Sequence, residues 1–123
     1  MTRRSLLAVL AMAPAVHAQD AALVDAAARG DLSRVRALLA AGAPLEQRDA
    51  RRRTALLAAT QGNHEAVALE LIARGADVNA QDDQQDSAFL LAGARGYTNI
   101  LRATLVAGAN LKSTNRYGGT ALI

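Results

Sequence analysis

The sequence predicts an all-α solenoid, built from helix-turn-helix units that are joined by short turn fingers. Gly42, Gly75 and Gly108 lie 33 residues apart, and the segments around them recur as AGAPLEQRD, RGADVNAQD and AGANLKSTN. The same offset relates three further sets of residues: Asp49, Asp82 and Asn115, then Thr54, Ser87 and Thr120, then Leu56, Phe89 and Leu122. A fixed period of this length indicates an array of stacked units, each formed by two short helices and a turn.

The hydrophobic residues are mostly small or aliphatic. They make up 51% of the 123 residues, whereas aromatic residues make up only 2%. A core built from Ala, Leu and Val suits helices that pack closely. The composition therefore agrees with the helical prediction.

The N-terminus has the layout of a secretory signal peptide, which we predict over residues 1–18. Arg3 and Arg4 precede an apolar run over residues 6–13, Pro14 interrupts that run, and Ala18 supplies the small residue of a cleavage site. The run is much shorter than the ~20 residues that cross a bilayer. We expect cleavage after Ala18 and a periplasmic or secreted protein without a membrane span; the alternative is an ordinary capping helix on the first unit.

Charge and cysteine content exclude several kinds of function. Removing Arg3 and Arg4 leaves 12 of the 14 basic residues against 11 acidic ones, a net charge of +1. This balance, without clustered aromatic residues, gives no reason to expect a nucleic-acid partner. The chain has no cysteine, which excludes disulfides, thiol nucleophiles and thiolate metal sites.

The repeat domain is predicted over residues 19–123, with units at 20–48, 49–81 and 82–114 and a partial unit at 115–123. The first helix of a unit begins near Thr54 or Ser87, because these hydroxyls accept hydrogen bonds from first-turn amides. It ends at a residue that tolerates the left-handed conformation. These ends are Gly30, Asn63 and Gly96.

The second helix of each unit has apolar residues spaced by three and four positions, which places them on one face. In the third unit Thr104 stands where the earlier units have leucine, and its hydroxyl can bond a carbonyl of the preceding turn. The helix ends at Gly42, Gly75 or Gly108. The apolar positions are Val35, Leu38 and Leu39, then Val67, Ala68, Leu71 and Ile72, then Ile100, Leu101 and Leu105.

Residues 20–123 resemble the ankyrin repeat. The second unit matches that family's pattern most clearly, and the resemblance is specific because the pattern recurs in phase. The resemblance implies an ankyrin-repeat solenoid that binds other proteins. The export segment and the ratio of 13 Arg to one Lys are typical of a bacterial member, and we expect the chain to be part of a longer array. The matching residues are Asp49, Thr54, Leu56, Ala59, His64, Leu71, Gly75, Ala76, Asp77, Val78, Asn79 and Ala80.

The sequence departs from the family pattern at two places. The Pro and His of the family's Thr-Pro-Leu-His are missing, because the second unit reads TALL from Thr54 and the third reads SAFL from Ser87. Arg52 and Gln85 stand where the family has a turn glycine, which Gly118 keeps. Either the left-handed geometry is retained, at a cost of about 0.5 to 1 kcal/mol per turn, or those loops are reshaped.

We predict no enzyme activity, no cofactor and no metal site. His64 lies at the family's Gly-His position, where the ring packs and bonds to backbone, and no further ligands occur at metal-binding spacing. No nucleophile has a neighbouring base. Asp49, Asp82 and Asp86 are expected in solvated turns, so no carboxylate is isolated from water as an acid catalyst requires.

The turn fingers are the candidate binding surface. Residues 49–53 read DARRR and residues 82–86 read DDQQD, so neighbouring fingers carry opposite charge; the alternative is that these charges are merely solvated. The family's binding face comprises the turn and the end of the first helix, with its concave surface. Arg51, Arg53, Arg95 and Tyr117 are the preferred anchors, since Arg and Tyr often dominate interface energies. Carried over by position, the candidates are Arg51, Arg53, Gln61, Asp83, Gln84, Asp86, Arg95, Arg116 and Tyr117, with Arg29 at the other end.

The predicted function is therefore protein binding outside the cytoplasm. Alternative roles are an inhibitor or immunity-type protein for one cognate partner, and a structural spacer. Leu122 and Ile123 can cover only part of the third unit. An end unit without a polar outer face leaves apolar surface in water, so self-association through the C-terminal end is a second candidate interaction.

Overall fold

The computed structural model describes residues 21–119, so the predictions for residues 1–18 and for 120–123 lie outside the described range. The described residues form helices and no strand, and none of these helices is long and apolar enough to cross a membrane. The helices come in pairs, as the 33-residue period predicts. They are α1 (Ala22–Ala28), α2 (Leu32–Ala40), α3 (Ala55–Gln61), α4 (Glu65–Ala73), α5 (Ala88–Arg95) and α6 (Thr98–Val106).

The predicted helix starts are confirmed in the second and third units. The Thr54 hydroxyl accepts a hydrogen bond from the Leu57 amide at 3.3 Å, and the Ser87 hydroxyl accepts one from the Leu90 amide at 3.1 Å. Both cap residues are extended, as an N-cap should be. The sequence therefore sets where α3 and α5 begin.

The helix ends also agree with the prediction. Asn63 has a φ of 52° and Gly96 a φ of 74°, so both first helices stop in the left-handed conformation. The second helices stop at Gly75 and its equivalents, which have φ values of 94° to 97°. Each pair of helices therefore turns back on itself at a residue that accepts positive φ.

The core is formed by stacking like helices of successive units. Helix α3 packs between α1 and α5, and α4 packs between α2 and α6. The N-cap Thr54 and residues 55–60 of α3 are all buried, and most of them are Ala or Leu. Small side chains allow the helices to approach closely. Thr104 is also buried, and its hydroxyl donates to the Leu101 carbonyl at 2.6 Å, as predicted.

His64 joins the first two units, which confirms its predicted structural role. Its Nε2 atom donates to the Ala28 carbonyl, 3.0 Å away in the preceding unit. The ring fills the space beside two glycines, because a Cβ atom built at Gly30 or Gly62 would lie 2.5 Å from a ring nitrogen. The histidine is therefore part of the packing between units.

Candidate functional site

Each finger is a five-residue loop that is organised by its first side chain. Asp49 Oδ1 accepts hydrogen bonds from the amides of Arg51 and Arg53, both at 2.9 Å. Asp82 Oδ1 and Asn115 Oδ1 accept the equivalent pairs of bonds in the next two fingers, at 2.9 to 3.0 Å. The fingers thus share one internal geometry, although the third begins with an amide.

The fourth residue of each finger is left-handed. Arg52 has a φ of 63° and Gln85 a φ of 65°, while Gly118 at the same position has a φ of 77°. Of the two alternatives left open by the sequence, the retained left-handed geometry is confirmed. The backbone bond from the Arg52 amide to the Asp49 carbonyl, 2.9 Å long, closes the loop in this conformation.

Neighbouring fingers are hydrogen-bonded to each other through their backbones. The Asp83 amide donates to the Arg51 carbonyl at 3.1 Å, and the Arg116 amide donates to the Gln84 carbonyl at 3.3 Å. We call this set of loops, residues 49–53, 82–86 and 115–119, the finger row. Its spacing is fixed by these bonds, so the side chains that project from it form one surface.

Two side chains that sequence reasoning missed also hold the finger row together. Arg48 Nη1 donates to the carbonyls of Arg52 and Gln81, at 2.8 and 2.6 Å. Gln81, 33 residues later, donates from Nε2 to the carbonyls of Gln85 and Thr114, at 2.8 and 3.3 Å. The 33-residue spacing of Arg48 and Gln81 could have indicated that they occupy equivalent positions. That each side chain bonds carbonyls of two units is evident only from the structure.

The prediction that the finger aspartates lie in solvated turns was wrong for Asp49 and Asp82. The side chain of Asp49 is 15% exposed, and Asp82 is 8% exposed. Each carboxylate folds inward because it caps the amides of its own loop. These residues stabilise the fingers and contribute little to the accessible surface.

Asp86, another predicted binding residue, is half-buried and bonds Asn115. The other predicted binding residues fall into two groups, of which the first is held by internal bonds. Arg53 Nε pairs with Asp49 Oδ2 at 2.8 Å, its Nη1 atom donates to Gln61 Oε1 at 2.7 Å, and its side chain is only 19% exposed. Arg95 is exposed, but its Nη1 atom donates to the Gln61 carbonyl at 3.0 Å. At the far end Arg29 pairs with Asp25 at 2.9 Å.

The second group projects freely from the finger row. Arg51, Asp83 and Gln84 are exposed, and within residues 21–119 their side chains make no hydrogen bond or ion pair. Arg116 and Tyr117 are exposed too, and the guanidinium carbon lies 5.9 Å from the ring centroid. The accessible side chains are thus a cation, an acid with an amide, and an aromatic residue beside a cation, on three successive fingers.

Comparisons with known proteins agree with this geometry. A protein-family model described as ankyrin repeats in three copies matches residues 6–82, more than half of the chain. The chain belongs to the ankyrin repeat family. Ankyrin repeats are generally protein-interaction modules without catalytic activity of their own.

Two relatives support the assignment. An ankyrin repeat domain from Acinetobacter baumannii AYE, whose crystal structure was determined at 1.00 Å resolution, is 52% identical with a TM-score of 0.78. That match covers 82% of this chain and 52% of the other. The ankyrin repeat protein YahD of Escherichia coli (strain K12) is 33% identical over 97 residues, which are 79% of this chain and 48% of YahD. The chain therefore spans about half the length of these relatives.

The electrostatics of this ankyrin domain change sign between equivalent finger positions. Asp86 occupies the place that Arg53 has one unit earlier, and it lies beside Asp82. Burial raises the pKa of Asp86, and the charge of Asp82 raises it further, against the lowering effects of a bond from Asn115 and the charge of Arg95. Asp86 is thus an acidic residue that forms no ion pair with any other residue in the range 21–119.

Asp49 shows the opposite effect. Burial alone would raise its pKa, but the hydrogen bonds and the charge of Arg53, together with the Arg51 amide, hold the pKa below its ordinary value. The carboxylate is therefore stabilised in its charged form. The finger of the second ankyrin unit is an internally paired loop with free cations, whereas that of the third carries surplus acid.

The second helices of the ankyrin units form a separate surface that sequence reasoning missed. Arg36 of α2 pairs with Glu70 of α4 at 3.1 Å. At the next junction, between α4 and α6, the equivalent positions hold Leu69 and Ala103. Together with Ile72 they line an open apolar groove. Among the described residues no group of three or more His, Asp or Glu side chains could hold a metal ion.

Proposed function

We propose that this ankyrin repeat chain binds another protein through the exposed side chains of the finger row, and that it does so outside the cytoplasm. The observation that carries the proposal is the relation between Arg51 and Asp83. Both side chains are exposed and unpaired within the described range, they carry opposite charge, and a backbone hydrogen bond fixes the spacing of their fingers.

Fixing the fingers before binding favours association. A loop that is already ordered loses less conformational entropy when a partner docks. This order comes from the inward-facing carboxylates of Asp49 and Asp82 and from the bridging side chains of Arg48 and Gln81. The exposed residues can therefore act as one preformed surface.

The charges of the finger row predict which charges the partner's surface carries. A complementary partner presents an acidic group opposite Arg51 and a basic group opposite Asp83, because like charges brought together would oppose docking. Tyr117 is 80% exposed and can supply apolar contact area at the end of the row. We expect Arg53 and Gln61 to support the surface from behind, since their side chains already bond each other.

The proposed location rests on residues 1–18. Two arginines, a short apolar run, a proline and a small residue occur there in the order of a secretory signal peptide. Sequencing the N-terminus of the exported protein tests this part alone. We expect a mature chain that begins at Gln19, and an exported protein that retains Met1 or Thr2 would contradict it.

Charge reversal with crosslinking capture tests the binding surface. The mature chain and an Arg51→Glu/Asp83→Arg variant would each be incubated with the exported protein fraction and crosslinked, and captured proteins would be identified by mass spectrometry. The double reversal leaves the net charge unchanged. We expect the mature chain to capture a discrete partner. The variant should capture at least about tenfold less, because two attractive charge contacts with the partner become repulsive.

A matched control reverses charges on the second helices. Arg34→Glu/Glu65→Arg also preserves the net charge, and both residues are exposed on second helices, Arg34 on α2 and Glu65 on α4. We expect this variant to capture the partner as the unaltered chain does. Equal capture by all three proteins would contradict the proposal and would favour a spacer, which needs no particular side chains on the fingers.

A further inference from the structure

The ion pair inside the finger of the second unit has only its acidic half in the third unit. Arg53 Nε lies 2.8 Å from Asp49 Oδ2, and Arg53 Nη1 donates to Gln61 Oε1 at 2.7 Å. In the third unit the guanidinium is replaced by a second carboxylate, and the glutamine by a methyl group. We call this set of three residues the acidic site; its members, 33 positions after the first set, are Asp82, Asp86 and Ala94.

Within residues 21–119 one carboxylate oxygen of Asp82 has no hydrogen bond or ion pair. Asp82 Oδ1 accepts bonds from the amides of Gln84 and Asp86, as Asp49 Oδ1 does from the equivalent amides. These bonds give both aspartates the same orientation, so Asp82 Oδ2 faces the side chain of Asp86, as Asp49 Oδ2 faces Arg53. Asp82 is only 8% exposed, and an acceptor so little exposed normally has a partner.

This difference between the two units does not depend on the ends of the chain. Every hydrogen bond and ion pair of the Arg53 side chain lies within residues 49–61. The equivalent residues 82–94 are all described. Because Ala94 is exposed and Asp86 is half-buried, a side chain of another protein can reach the acidic site from solvent.

No cation of the described range forms an ion pair with either carboxylate of the acidic site. Burial and the charge of Asp82 raise the pKa of Asp86, so holding the two acids together opposes their ionisation. Asn115 offers Asp86 only a neutral amide. The charge of Arg95 acts in the opposite direction, but its Nη1 atom donates to the Gln61 carbonyl of the second unit. A cation from a partner would therefore relieve this repulsion.

We propose that the acidic site receives an arginine side chain of the partner protein. This inference rests on the proposed binding through the finger row and names a residue that the partner contributes. A guanidinium presents several donors in one plane and can bond two acceptors together. The partner's arginine takes the position that Arg53 has one unit earlier, with Asp82 Oδ2 and the Asp86 carboxylate as its acceptors. Because Arg53 fills the equivalent position in the second unit, the arginine also fixes where the partner sits along the row.

A small arginine derivative tests the acidic site without the partner. Nα-acetyl-arginine amide would be titrated into the isotopically labelled mature chain, and the backbone amide signals of Asp86 and Ala94 would be followed by NMR. We expect saturable shifts at these positions. Nα-acetyl-citrulline amide, whose neutral urea group replaces the guanidinium, should cause none. Nα-acetyl-lysine amide has the charge without the planar fork and should bind at least about threefold more weakly.

Two substitutions change the acidic site in different ways. Asp86→Asn should weaken binding of the arginine derivative at least about tenfold, because one charged acceptor is lost. Asp86→Arg copies the second unit; we expect the new side chain to pair with Asp82 and to abolish the shift at Ala94. Glu65→Gln is the matched control, since it removes an exposed carboxylate from α4 and keeps an acceptor for Asn99. It should bind the derivative as the unaltered chain does.

Three results would overturn the inference: no saturable shift at Asp86 and Ala94, equal binding of the arginine derivative and either of the other two derivatives, and equal binding by the unaltered chain and Asp86→Asn. These results are distinguishable from failure of the proposed function. Capture that depends on Arg51 and Asp83, without binding of the arginine derivative, would contradict the inference alone. Binding of the derivative, with capture that is insensitive to those two residues, would contradict the finger row as the binding surface.

Discussion

The Nε atom of Arg53 lies 2.8 Å from Oδ2 of Asp49, within one finger. One unit later the same two positions hold Asp86 and Asp82, so an ion pair is replaced by two carboxylates. The two fingers have the same backbone hydrogen bonds. Their electrostatics differ while their shape is kept, which leads to opposite expectations for the effect of pH.

The first prediction concerns Asp86. An acid with a raised pKa binds more protons in the folded state than in the unfolded state, so its contribution to stability falls as pH rises through the interval between the ordinary and the raised pKa. We expect Asp86→Asn to increase the free energy of unfolding at neutral pH, because the change removes a half-buried charge beside Asp82. The gain should vanish well below the ordinary pKa of 3.8.

Urea unfolding of the unaltered chain and of the Asp86→Asn variant, from neutral pH to well below 3.8, checks the prediction. The sign is opposite for Asp49, whose lowered pKa contributes stability that is lost as pH falls through the folded-state value. A gain from Asp86→Asn that stayed constant down to acid pH would contradict the electrostatic explanation.

The second prediction concerns the finger cap at Asp49. Asp49→Ala removes the acceptor for the Arg51 and Arg53 amides and should lower the free energy of unfolding by about 1 to 3 kcal/mol. Asp49→Asn keeps an acceptor oxygen, as Asn115 does naturally in the third finger, and loses only the ion pair. We expect the asparagine variant to lose less than the alanine variant, because the Arg51 and Arg53 amides keep their acceptor. If Asp49→Ala and Asp49→Asn lowered the free energy of unfolding equally in chemical denaturation, the hydrogen bonds from the Arg51 and Arg53 amides would not be the source of Asp49's contribution to stability.

The third prediction concerns the left-handed finger residues. Gln85→Gly relieves a side chain at a φ of 65° and should stabilise the fold by up to about 1 kcal/mol. Gly118→Ala is the converse at the same finger position. An added Cβ there meets nothing within 4 Å, so only the φ of 77° opposes it. We expect a loss of about 1 kcal/mol, measured by thermal or urea unfolding. Stabilisation by Gly118→Ala would show that this geometry is not strained.

The fourth prediction couples His64 to Gly62. Gly62 has a φ of −89°, so alanine is allowed by the backbone, but its Cβ would lie 2.5 Å from His64 Nε2. Gly62→Ala should therefore cost about 1 to 3 kcal/mol in the unaltered chain. In a His64→Ala background the same change should cost almost nothing, because the ring is gone. A double-mutant cycle measures this coupling, and additive losses would contradict the packing role of the ring.

Much of the fold could be predicted from the sequence because its signals are local and periodic. Thr54 and Ser87 indicate helix starts, Asn63 and Gly96 indicate helix ends, and the common offset shows how units stack. The finger positions follow from the same register. Thr104 was predicted in the same way, since its hydroxyl needs only the preceding turn.

The accessibility of the finger side chains could not be predicted in this way. Arg53 looked equivalent to Arg51, but the loop geometry turns Arg53 back towards Asp49 and Gln61. Asp82 looked solvated because it is charged, yet capping its own loop draws it inward. Such contacts depend on three-dimensional distances that periodicity does not contain.

Site-specific photocrosslinking tests most directly whether the finger row is the recognition surface. A photoreactive amino acid would replace Arg51, Gln84 or Arg34 in separate variants expressed and illuminated in cells. We expect a discrete crosslinked partner from positions 51 and 84 and none from position 34, which is exposed on α2. Crosslinking from position 34 with none from the two finger positions would contradict it.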